Sequence, residues 1–117
     1  MNNYRKFSAL LMVIASLLFS LPVLAADAVW IDVRSEAEYK ADHIDNTILI
    51  PHTQIGEEIG KLNLAKDTPI KLFCRSGGRA GIAEKTLMGM GYTNVENVGG
   101  IADARKVLAE QSSGEAK

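Results

Sequence analysis

Between residues 70 and 90 the chain changes its period within a few residues, and that change limits the folds open to it. Ile70-Lys71-Leu72-Phe73 is a short apolar run with β-branched and aromatic residues, read as a buried strand that delivers Cys74 at its C-terminal end. Beyond Arg79, Ala80, Ala83, Leu87 and Met90 fall at spacings of 3, 4 and 3, the period of one helix face. Gly91 follows where a C-terminal glycine cap belongs. A strand that passes almost directly into a helix is half of a β-α-β unit, so a parallel sheet is expected.

The same alternation runs through the rest of the chain. Val29-Trp30-Ile31-Asp32-Val33 reads as a first buried strand. Ser35-Glu36-Ala37-Glu38 has capping-box spacing and predicts a short helix through about Asp42. Ile48-Leu49-Ile50 is a second strand stopped by Pro51, and Gln54 to Leu64 is a weak helical stretch containing Gly56 and Gly60. Val95 to Val98 is a fourth strand, Gly99-Gly100 a turn, and Ile101 to Glu110 a last helix. Strands alternating with helices imply an α/β fold with a mostly parallel sheet covered on both faces. Sites in such folds lie beyond the carboxyl ends of the strands, where Cys74 falls.

The N-terminus has a different character. Arg5 and Lys6 precede a charge-free apolar run from Phe7 to Leu21, then Pro22 and the small-residue ending Val23-Leu24-Ala25. The run is about 15 residues, short of the ~20 that span hydrocarbon. Residues 1–25 therefore read as a secretory signal peptide cleaved near Ala25. The expected organisation is this leader, one domain over 26–110, and a flexible C-terminal tail over 111–117. The expected location is the periplasm, with no membrane anchor after processing. Of 13 basic and 14 acidic residues, the leader holds Arg5 and Lys6, so the mature chain is mildly acidic. That balance excludes a general electrostatic attraction to nucleic acid.

An exported chain sits where disulfides form, yet Cys74 is the only cysteine and can make no internal bridge. Its neighbours give it a use. Cys74-Arg75-Ser76-Gly77-Gly78-Arg79 links a strand end to a helix start. Gly77 and Gly78 allow successive N–H groups to turn inward as a nest, and the helix adds its positive end. Arg75 and Arg79 add two formal charges. Each term favours an anion at the loop's centre, and the nearest ionisable group is the thiol, whose pKa should fall. A glycine pair between strand and helix is common and says little alone, and a solvated rim is the lesser reading of the arginines beside anion binding. The Gly-Lys-Ser/Thr ending of a phosphate-binding P-loop is missing. The conjunction of sole cysteine, strand end, glycines, arginines and helix start carries the reading.

These residues resemble a known family. Cys74-Arg75-Ser76-Gly77-Gly78-Arg79 is similar to the active-site loop of single-domain rhodaneses. Asp32-Val33-Arg34, Glu38-Tyr39, His43-Ile44 and Ile50-Pro51 match its N-terminal landmarks, and Gly91-Tyr92, Asn94-Val95 and Gly99-Gly100 its C-terminal half. The resemblance implies a three-layer α/β/α fold with a four- or five-stranded sheet. It implies a sulfurtransferase in which Cys74 takes sulfur from a small anionic donor such as thiosulfate and passes it as a persulfide to cyanide or a thiol. Backbone N–H groups of Arg75 to Arg79 would hold the persulfide and donor, without metal or organic cofactor. Three departures stand out: the family's opening strand and helix are absent, Asp45-Asn46-Thr47 replaces the usual Gly-Ala after His43-Ile44, and the last helix lacks an aromatic.

Other residues take quieter roles. His43 reads as a structural landmark, His52 as a loop or capping residue, and Trp30 as core. Asp32 and Arg34 read as a polar network bracing the site. No residues have metal-ligand spacing. Two functional alternatives stay open. A persulfide carrier serving a partner protein would use the same cysteine. A cysteine phosphatase or arsenate reductase needs five residues between Cys and Arg, whereas four, Arg75 to Gly78, separate Cys74 from Arg79.

Overall fold

The computed structural model describes residues 27–115, so the leader read over 1–25 lies outside the described residues. Four strands form one all-parallel sheet in the order β2-β1-β3-β4: β1 (Val29–Asp32), β2 (Ile48–Leu49), β3 (Ile70–Cys74) and β4 (Val95–Gly100). Helices α1 (Glu36–Ala41), α2 (Ile55–Glu58), α3 (Gly78–Gly89) and α4 (Ile101–Glu115) join and cover them. The sheet thus has four strands among the described residues, with β4 at an edge.

Strand alternation sorts the core into two layers. Ile31, Ile70, Leu72 and Cys74 share one layer with Ile55 and Ile59 and with the α3 residues Ala80, Ala83 and Leu87. Trp30 and Phe73 point the other way, into a layer with Ala104, Val107 and Leu108 of α4. Cys74 therefore belongs to the α3 side and ends a strand buried on both faces. Trp30 is core, as expected, with its ring 6.3 Å from that of Phe73.

The local signals behave as their chemistry requires. Ser35 caps α1 with a complete capping box: its side chain accepts from the Glu38 N–H while the Glu38 carboxylate accepts from the Ser35 N–H. The weak stretch over 54–64 divides into α2 and a 3-10 turn, Ile59–Leu62, which ends at Asn63 in the left-handed region. Ile55 and Ile59 anchor it in the core.

Two boundaries differ from the sequence reading. Gly99 and Gly100 are not a free turn but the end of β4, opposite Phe73 and Cys74. A bulge at Val98 makes this possible, because Asn97 pairs with Leu72 and the next partner, that of Phe73, is Gly99. At the C-terminus α4 continues to Glu115, well into the segment read as a flexible tail. Nucleation is the costly step of a helix; once Ile101, Ala104 and Leu108 dock it on the sheet, Gln111 to Ser113 extend it before any glycine or proline intervenes.

Candidate active site

Cys74 is the last residue of β3 and is 1 % exposed. The chain leaves it through Arg75 and Ser76 and enters α3 at Gly77, the N-cap residue, whose φ of +104° only glycine adopts without strain. Gly77 has no side chain with which to cap the helix. The cysteine sulfur takes that place, accepting from the Gly77 N–H at 2.9 Å. Burial opposes charge on this sulfur. The N–H groups of Ala80, Ser76, Gly77 and Arg79 outweigh it and hold the thiol below its ordinary pKa. Of the two glycines expected to turn their N–H groups inward, Gly77 donates to the sulfur, and the Ala80 and Arg79 amides of the first turn of α3 favour charge there.

The two loop arginines have separate fates. Arg75 is exposed, and its side chain makes no ion pair or hydrogen bond among the described residues. The Arg79 N–H favours charge on the sulfur, while its guanidinium is committed to Glu38 of α1, with Nη1 donating to Oε1 at 2.6 Å and Nη2 to Oε2 at 2.9 Å. The guanidinium, aided by Ser35, lowers the Glu38 carboxyl to about 2. The pairing with Glu38 in turn raises Arg79 above its ordinary value. Ser76 and Gly78 lie exposed at the loop's rim.

Asp32 and Arg34 form the buried network anticipated at the strand end. Arg34 donates from Nε to both Asp32 oxygens, at 2.9 and 3.0 Å, and from Nη2 to Oδ2 at 2.7 Å. The same Nη2 donates to the Asp42 carbonyl at 2.7 Å, at the C-cap of α1. The end of β1 is thereby tied to α1, and α1 carries Glu38 to Arg79. His43 stacks on Tyr39 with ring centroids 4.3 Å apart and contacts the Tyr39 carbonyl through Nδ1, a structural role. His52 continues the sheet's hydrogen bonding, its N–H donating to the Val33 carbonyl at 3.0 Å.

The opposite flank holds residues that the sequence reading missed. Asn97 donates from Nδ2 to the Gly77 carbonyl at 2.9 Å and accepts from the Gly99 N–H at 2.9 Å. With the Gly81 N–H on the same carbonyl, it fixes the Gly77–Gly78 peptide plane. Gly100 lies against the loop backbone: a Cβ there would come within 2.4 Å of the Arg75 carbonyl oxygen. Asparagine is depleted in strands, so Asn97 inside a strand just before Gly99-Gly100 was the available signal. Glu38 was visible as a capping residue and within the Glu38-Tyr39 landmark, not as a partner of Arg79.

A parallel α/β domain with a lone buried cysteine at a strand end, its sulfur accepting the N–H of a glycine turn that opens a helix, has the architecture of the cysteine-loop sulfurtransferases. The rhodanese-like domain family model matches residues 22–105, and the chain belongs to that family. It is 42% identical over 88 residues to the thiosulfate sulfurtransferase PspE of Escherichia coli K12, covering 75% of this chain and 84% of that one. Among solved structures, a rhodanese with anions from E. coli superposes with a TM-score of 0.63 at 38% identity, covering 66% of this chain and 91% of that one. The domain also recurs inside larger proteins. The tRNA uridine(34) hydroxylase of Erwinia tasmaniensis is 32% identical over 90 residues, 73% of this chain but 26% of that protein. The fold and the sulfur-transfer class expected from the loop are those of the family. Among the described residues no group of side chains could hold a metal ion, and no helix is long and apolar enough to cross a membrane.

Proposed function

We propose that the chain is an exported thiosulfate sulfurtransferase working through a Cys74 persulfide. The observation that carries this reading is the Cys74 sulfur, buried at the end of β3, accepting the Gly77 N–H at 2.9 Å at the start of α3, with its pKa lowered there against the cost of burial. The thiolate attacks the outer sulfur of thiosulfate; the S–S bond of the donor breaks and sulfite leaves with the electron pair. The terminal sulfur of the new persulfide carries the negative charge, which the loop's amides hold. An acceptor then attacks that sulfur and Cys74 departs as thiolate, giving thiocyanate from cyanide or a persulfide from a thiol. The two half-reactions predict ping-pong kinetics. Arg75 and Ser76, exposed at the rim, are the side chains placed to meet the donor's oxygens, and Gly77, Gly78 and Arg79 contribute backbone. Asp32 and Arg34 support the site from beneath. Release into the periplasm rests on the leader-like residues 1–25, and protein recovered from the envelope should begin at or within a residue of Ala26.

The test is direct. Incubation with thiosulfate should add the mass of one sulfur, located at Cys74, and cyanide should remove it. Cys74→Ser should keep the fold and lose the transfer entirely, because a hydroxyl is not ionised at neutral pH and forms no persulfide. Normal turnover by that variant would overturn the assignment.

A further inference from the structure

The guanidinium of Arg79 already holds an anion, supplied by the chain itself. Two parallel N–H···O bonds to one carboxylate are the fork that arginine uses on oxyanions. Arg79 and Glu38 side chains are each 30% exposed, and Arg79 lies near enough to the Cys74 sulfur to feel its charge. Two of the charged pairs beside the loop are matched, Asp32 with Arg34 and Glu38 with Arg79, while Arg75 makes no ion pair among the described residues.

We propose that Glu38 is a specificity-determining residue, an internal anion on Arg79 that keeps the loop's affinity for free tetrahedral oxyanions low. Inorganic phosphate then does not occupy the cradle, and an oxyanion leaving group such as sulfite departs after transfer. The short loop and this occupied fork act in the same direction. Donors are retained by covalent capture of their sulfur rather than by a second cation. This deepens the sulfurtransferase reading and rests on it for the identity of the leaving group, though not for the anion affinity itself.

Glu38→Gln is the informative variant, because glutamine at this position preserves the capping box with Ser35 while removing the charge. The probe is inorganic phosphate, and the readout is its protection of Cys74 from alkylation by iodoacetamide, which needs no sulfur transfer. Glu38→Gln should need about tenfold less phosphate for half-protection than the native protein, the gain expected when a charge-assisted hydrogen bond becomes available. In an Arg79→Ala background the same substitution should produce no tightening. With thiosulfate and cyanide, Glu38→Gln should lower KM and kcat together, as an anion that binds more tightly also leaves more slowly. Should Glu38→Gln fold poorly, Glu38→Asp, which keeps the charge but shortens the reach to Arg79, should tighten phosphate partially. Unchanged or weaker phosphate protection in a folded variant overturns the proposal. Failure of persulfide formation, with phosphate protection tightened, would instead overturn the sulfurtransferase reading and leave the role of Glu38 standing.

Discussion

On one side of Cys74, β4 meets the loop through glycine backbone and one neutral amide; on the other, β1 and α1 reach it through charged groups. The β4 flank is Gly99, Gly100 and the neutral amide of Asn97, set at van der Waals and hydrogen-bond distances. The β1–α1 flank is a relay from Asp32 to Arg34, across α1 to Glu38, and on to Arg79. Contacts of the first kind depend on shape and leave little room for adjustment. Those of the second act over longer distances and respond to protonation and, at the exposed end, to salt. The loop is therefore fixed in position from β4 and adjusted in charge from α1, so substitutions on the two flanks should fail in different ways.

Gly100→Ala should have the largest effect. Its Cβ would come within 2.4 Å of the Arg75 carbonyl oxygen, a backbone atom that cannot swing aside, so the loop itself must move. Misplacing a reacting group by about 1 Å costs on the order of 100-fold, and kcat/KM for thiosulfate should fall by at least about that factor. The overpacking should also cost about 1–3 kcal/mol of stability in urea unfolding. Near-native turnover would show that the β4 flank can yield and would remove the contrast with the charged side.

Asn97→Ala should come next. It leaves the Gly99 N–H without its partner and the Gly77 carbonyl with only the Gly81 N–H, at a cost of about 1–3 kcal/mol. Part of that cost should appear as a raised Cys74 pKa in the pH dependence of alkylation, because the Gly77–Gly78 peptide loses one of its restraints. A loss of stability with no movement of the Cys74 titration would confine Asn97 to the architecture of β4.

What the sequence revealed about the site follows the same division. Cys74, the nest and the strand-to-helix passage were legible because they are local: a period change, two glycines and one nucleophile within a single stretch. The Asp32–Arg34 brace was legible for a similar reason, its partners being two residues apart. The Arg79–Glu38 pair was not, since 41 residues separate its members and Glu38 already had a local explanation in its cap. Gly99-Gly100 read as a turn because glycine pairs usually mark turns, whereas here they mark a close approach that only the parallel pairing of β3 with β4 brings about. The helical course of 111–115 escaped for the opposite reason, since its composition is that of a tail and only docking of the preceding turns carries it on.

The smallest effect separates the flanks by pH. In the folded protein Glu38 titrates at about 2, against an ordinary value of 4.5. A carboxyl lowered on folding adds stability that is fully present above its unfolded value and is lost as pH falls through its folded one. With both partners 30% exposed, the pair's contribution should stay below about 1 kcal/mol. The stability difference between native protein and Glu38→Gln should accordingly be constant above about pH 5 and shrink between about 4.5 and 2. The difference for Asn97→Ala involves no titrating group of its own and should stay level across that window. Urea unfolding of the three proteins at successive pH values measures both differences, and carboxyls common to all three cancel. Added salt at neutral pH should diminish the Glu38 difference and leave the Asn97 difference unchanged. A Glu38 difference that persisted undiminished to pH 2 would mean that it does not come from the ionised carboxylate, and that the charge on Arg79 adds nothing to the fold.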